Sequence, residues 1–163
     1  MPLSRVLIIV VGVITTVSAV LADLVIPDLA AQHAFNPAWP PHAKFHDAQY
    51  MVMTVLLGLT GLALTLRRTG DTRGGLLCAT AVLAIPWLGM IGALLFPATA
   101  THDAEFADET LFVLGLHGQV FLAISLLLAL LVAATATLRT SPKREDTATL
   151  RAGEAPAEAG TTR

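Results

Sequence analysis

Charge is scarce in this sequence. Only 13% of its 163 residues are Asp, Glu, Lys or Arg, and their sum is −2. With no basic field there is no electrostatic footprint for a nucleic acid. Cysteine is scarcer still: Cys78 stands alone, which excludes an internal disulfide and any Cys-x-x-Cys redox or zinc motif. It falls in an apolar run and is expected to be a small buried side chain. Other signatures are missing too. No phosphate loop, nucleotide fingerprint, haem-attachment motif, His-Glu-x-x-His or Ser-His-Asp series is present, so the ATPase, zinc-protease and serine-hydrolase classes find no support.

What fills the chain instead is apolar. Hydrophobic residues make up 55% and the mean hydropathy is +0.70, a composition suited to lipid rather than water. Four runs reach the roughly 20 residues that a helix needs to cross a hydrocarbon core. They lie near residues 3–26, 45–66, 74–96 and 111–138. Backbone groups in lipid must be satisfied within their own segment, so each run is expected to be a helix. The reading is all-α: an antiparallel four-helix membrane bundle over residues 1–140, with the lipid bilayer as its first partner. Residues 141–163 turn to Pro, Ala, Thr, Glu and Arg without an apolar face, the composition of a disordered cytoplasmic tail. The first run has features of a cleavable signal peptide, with Arg5 ahead of it and Val20 and Ala22 before Asp23. Its continuation through Leu24, Val25 and Ile26 favours a retained anchor.

The few cations set an orientation. Arg5 precedes the first run, Arg67, Arg68 and Arg73 separate the second and third, and Arg139, Lys143 and Arg144 follow the fourth, whereas the other two connections hold only Lys44. Cytoplasmic flanks carry the excess of Lys and Arg. Both termini are therefore expected in the cytoplasm and the two histidine-bearing loops outside it. Gly89 and Ala93 form a small-xxx-small pair, and Gly58, Gly61, Gly92, Gly115 and Gly118 add further points for close helix approach.

The polar residues gather at the loop end. All five histidines, His33, His42, His46, His102 and His117, fall there with Asp23, Asp28, Asp47, Asp103, Glu105, Asp108 and Glu109. Pro40-Pro41 is suited to the first turn of a helix, where a fixed φ fits and an amide hydrogen is not needed. That places His42 and His46 at i and i+4 on one face, with Gln49 at i+7. Two imidazoles so spaced can converge on one substrate group or one metal. Asp23 and His117 are expected within the first and fourth helices, His117 about two turns inside, where an ionisable group needs a partner or a cavity.

Residues Asn36-Pro37-Ala38-Trp39-Pro40-Pro41-His42-Ala43-Lys44-Phe45-His46 resemble the loop signature of an uncharacterised family of small four-helix membrane proteins, which share an Asn-Pro-x-Trp-Pro-Pro-His-Ala-x-Phe-His segment between their first two helices. The resemblance implies a four-span fold and a role for the loop. In architecture the chain is also similar to the sterol isomerase and sigma-2 receptor group, in which histidine and acidic residues surround an apolar ligand cavity.

Three functions compete. The first is proton-transfer catalysis, isomerisation or cyclisation of a small apolar isoprenoid, sterol-like or polyketide substrate, with His42, His46, His117, Asp23, Asp47 and Glu109 exchanging protons and Asn36, Trp39, Gln49, Tyr50 and Gln119 binding the substrate; it calls for no cofactor. The second is a Zn, Cu or Fe site on His33, His42 and His46. The third is a non-catalytic membrane subunit whose Pro- and Trp-shaped loop docks a membrane partner, or a second copy of the chain.

Overall fold

The computed structural model describes residues 2–139, so the expected tail lies outside the described residues. Within them the chain folds as an all-α bundle of four long helices. Helix α1 covers Leu3–Val20 and continues into a π-helical turn, Leu21–Val25, and a six-residue helix α2 follows at Pro27–Gln32. The other long helices are α3 at Pro41–Leu66, α4 at Thr72–Ala93 and α5 at Gly118–Arg139. All four are long and apolar enough to cross a membrane.

Helix α1 packs on α3, α3 on α4, α4 on α5, and α5 closes the ring against α1. The shared core is built from Ile8, Val11, Ala79, Leu83, Trp87, Ala123, Leu126, Leu130 and Ala133. Around the outside run bare apolar side chains such as Val6, Val10, Val13 and Val17 on α1 and Leu56 and Leu59 on α3, which is how a bundle meets acyl chains. Cys78 belongs to this outer face: it is exposed, against the expectation of burial.

Lipid gives little hydrophobic drive for helix association, so close approach and interhelical hydrogen bonds must hold the ring. Gly58 supplies the approach: a Cβ there would sit 2.7 Å from the backbone nitrogen of Thr16. The Trp87 indole N–H supplies a hydrogen bond, donating to Thr15 Oγ1 at 3.0 Å between α4 and α1, both residues buried. Thr15→Val preserves the shape and strands that donor. It is expected to lower unfolding stability in bicelles by about 1–2 kcal/mol, while Thr60→Val, at an exposed position whose hydroxyl bonds only within its own helix, is expected to change it little.

At one end the arginines tie the helices together. Arg5 donates to the Arg67 carbonyl at 3.0 Å and Arg73 to the Leu138 carbonyl at 2.9 Å. The histidine-bearing connections occupy the other end.

That second end departs from the sequence reading. The run 111–138 is not one helix. Phe112–Val113 and Leu116–His117 form a two-stranded antiparallel hairpin, with Phe112 opposite His117, and α5 starts only at Gly118. Leu114 and Gly115 turn the hairpin with φ of 52° and 78°, the paired positive values of a type I′ turn. His117 is therefore a strand residue just ahead of the fourth span, not two turns inside it. Asp108 and Glu109 lie in a 3-10 turn, Ala104–Glu109, rather than at a helix start. Gly89 and Gly92 have open space where close approach was expected.

Candidate functional site

Beneath the loops the four helices part around a cavity of about 820 Å³, within the range of small-molecule sites. Its walls are mostly apolar, with Ala19, Leu57, Ile85, Trp87, Met90 and Leu122 among them, and Gly89 and Ala93 leave room where larger residues would close it. Its polar groups are Asp23, His33, Asp47, His102, Glu109 and His117, with Trp39, Tyr50, Asp103 and Gln119 alongside.

Asp23 owes its place to the π-helical turn. The Ile26 amide reaches back five residues to the Leu21 carbonyl at 2.8 Å, and the inserted residue re-aims the side chains of that turn. Asp23 is buried at 5% exposure, its carboxylate 3.5 Å from His33 Nδ1. His33 caps α2, and its Nδ1 also lies 2.8 Å from the Leu29 carbonyl. A carbonyl oxygen can only accept, so Nδ1 carries a proton, and in the neutral ring Nε2 keeps the lone pair. The neutral ring is thereby fixed as a base at Nε2, with a carboxylate behind it.

His117 has the opposite tautomer. The Gln119 amide donates to His117 Nδ1 at 3.3 Å, so in the neutral ring the proton sits on Nε2 and the group donates there. The hairpin holds it: Phe112 meets its ring edge-on with centroids 6.2 Å apart, and His102 stacks parallel to it at 5.9 Å. Burial first, then the nearby His102 and His33, lower its pKa below the ordinary 6.5. His117 should thus stay neutral at physiological pH. Its ring Cε1 proton is expected to titrate by NMR with a midpoint below 6.5, and His102→Ala to move that midpoint upward. The linkage has a definite sign. Between the folded pKa and 6.5 the unfolded chain binds more protons, so this group's contribution to stability is present above 6.5 and is lost as pH falls through the folded value.

Asp47 completes the polar end from α3. Its Oδ2 is buried and has no hydrogen-bond partner among the described residues, leaving an acceptor for a ligand.

Several sequence candidates stand elsewhere. His42 and His46 do form an i, i+4 pair at the start of α3, but both are exposed and neither lines the cavity. Gln49 faces His46 rather than the cavity, its Oε1 3.2 Å from His46 Nδ1. Asn36, 2% exposed, is a loop staple: its Oδ1 accepts from the Ala38 amide at 2.8 Å. The trio His33, His42 and His46 is divided between cavity and surface, and among the described residues no three His, Cys, Asp or Glu side chains are grouped to hold a metal. His33 and His102 carry more of the site than the sequence assigned them. Their signal was the placement of every histidine at one end, which did not say which of them turn inward.

No curated protein and no solved structure matches the chain. A family model does match, over residues 7–134, a span that runs from Leu7 in α1 to Ala134 in α5 and holds both loops and the whole cavity; the chain belongs to the family of unknown function DUF6640.

Proposed function

We propose that this protein is a membrane-embedded acid/base isomerase that shifts a double bond in a lipid-soluble carbonyl compound of the isoprenoid, sterol-like or polyketide kind. The observation that carries the reading is the pair of opposed tautomers in one apolar cavity, a lone pair on His33 Nε2 and a proton on His117 Nε2. His33 Nε2 takes a proton from the carbon next to the carbonyl, and the resulting imidazolium is balanced by Asp23. The electron pair left behind moves onto the carbonyl oxygen, which His117 stabilises as a neutral hydrogen-bond donor. The same proton, held on His33, then returns to the far carbon of the conjugated system. Substrate and product share one formula, and the enzyme ends as it began.

A donor that stayed cationic would give up its own proton to the enolate, so a histidine held neutral by its surroundings suits this task. Isomerisation is favoured over cyclisation because two imidazoles are mild groups, whereas protonating an isolated alkene calls for a strong acid. The charge asymmetry of the loops supports a site on the extracytoplasmic side, with both termini in the cytoplasm.

While it sits on His33 the proton can exchange with water. Purified protein in nanodiscs, incubated in D2O with total membrane lipid extract, is expected to place deuterium in a carbonyl lipid and to produce an isomer of unchanged formula and altered retention. If the labelled-lipid profile matches that of empty nanodiscs, the proposal fails.

A further inference from the structure

The His42 and His46 pair is left over by the cavity, and its geometry has its own logic. We propose that these two histidines form a surface site for a late first-row divalent cation, bound most tightly as Cu2+ and less so as Zn2+, at the start of α3. Their Nε2 atoms lie 3.1 Å apart. Two nitrogens each about 2.0–2.1 Å from one metal, at that separation, subtend an angle of about 100° at the metal. This falls between the cis angle of a square-planar ion and the tetrahedral angle.

The His46 tautomer is set as a ligand requires, and His42 gives up its Nε2 proton when the metal replaces the bond between the two rings. Gln49 Oε1 lies 3.2 Å from His46 Nδ1. With the amide oxygen accepting, the ring proton sits on Nδ1 and Nε2 offers its lone pair, the outer-shell arrangement that metal-bound imidazoles ordinarily have. The rings stand nearly perpendicular, at 79°, and Phe45 stacks on His42 with centroids 6.4 Å apart, which limits the freedom lost on binding. Both histidines are exposed, so water or a lipid phosphate oxygen can fill the remaining positions. The partial positive charge of the helix's first turn opposes a cation and holds the affinity below that of a closed four-ligand site. The competing state is a metal-free pair in which one Nε2–H donates to the other Nε2.

The test is Cu2+ titration of the full-length, untagged protein in nanodiscs of zwitterionic lipid, followed by electron paramagnetic resonance and by competition with Zn2+. One Cu2+ per chain with two equatorial nitrogens is expected. His42→Ala and His46→Ala should each weaken binding at least about tenfold and remove one nitrogen, and Gln49→Leu should weaken it about tenfold with both nitrogens kept. His33→Ala, inside the cavity, should leave the spectrum unchanged. Equal Cu2+ affinity in the wild type and the His42→Ala, His46→Ala double variant would overturn the assignment, as would loss of the nitrogens in His33→Ala. Because His42, His46 and Gln49 are exposed, an unchanged thermal midpoint is expected in the variants at those three positions.

Discussion

Asp23→Asn is expected to slow deuterium transfer into the carbonyl lipid by about 100- to 10,000-fold while leaving the protein as stable as before or more so. The two directions together are what identify the role of this residue. Asparagine has the shape of aspartate and lacks its charge. Asp23 is 5% exposed inside an apolar bundle, where a carboxylate is unfavourable. Its removal therefore relieves a burden on folding. His33 keeps its tautomer in the variant, because the Leu29 carbonyl at 2.8 Å still holds Nδ1. What disappears is the negative charge 3.5 Å from the ring, and with it the stabilisation of an imidazolium formed during reaction. His33→Ala should bring about the same loss, and the double variant little more than either single one, since the two groups act as a unit. Equal rates in the wild type and Asp23→Asn, or a variant that unfolds more readily in proportion to its lost activity, would instead make Asp23 a structural residue.

The frame was legible because lipid imposes simple rules. Runs of about 20 apolar residues had to be helices, and Pro40-Pro41 marked a helix start that the structure places at Pro41. The error at the fourth run has a physical source. Leu111, Phe112, Val113, Leu114 and Leu116 are as apolar as the helix that follows, and hydropathy alone does not separate a hairpin from a helix. The sign of the turn was Gly115, read as a helix-packing glycine although its φ is 78°. Placing His117 too deep followed from that.

The site was legible in composition but not in direction. A histidine one residue from a cavity wall looks the same in sequence as one in it: Asp47 lines the cavity while its neighbour His46 does not. His33 was grouped with His42 and His46 because they share a loop. Nothing in the sequence announced the π-helical turn that brings Asp23 to His33. The expectation of an uncharacterised family is met by the match over residues 7–134, whereas the architectural likeness to sterol isomerases has no matching structure behind it.

The glycines offer a decisive experiment, because two of them look alike in sequence and should respond oppositely. Gly89→Trp is expected to leave the thermal midpoint unchanged or slightly raised and to reduce deuterium transfer at least about tenfold, chiefly through a higher KM. A Cβ at Gly89 meets nothing within 4 Å, so a side chain can enter the cavity without displacing a helix, and replacing glycine within a helix removes about 0.5 kcal/mol of unfavourable propensity. The indole would occupy space that the substrate's apolar body needs, while His33, Asp23 and His117 remain in place. Loss of binding with little change in kcat is the signature of such exclusion. Gly58→Ala is the converse. Its Cβ would lie 2.7 and 2.8 Å from the backbone nitrogen and Cα of Thr16, atoms with no rotamer to escape into, so α1 and α3 must separate. A loss of about 1–3 kcal/mol is expected from that overpacking, with residual activity tracking the folded fraction. If Gly89→Trp kept full activity at every substrate concentration, the cavity would not be where the substrate binds, and the tautomer pair would have no apolar body to act on.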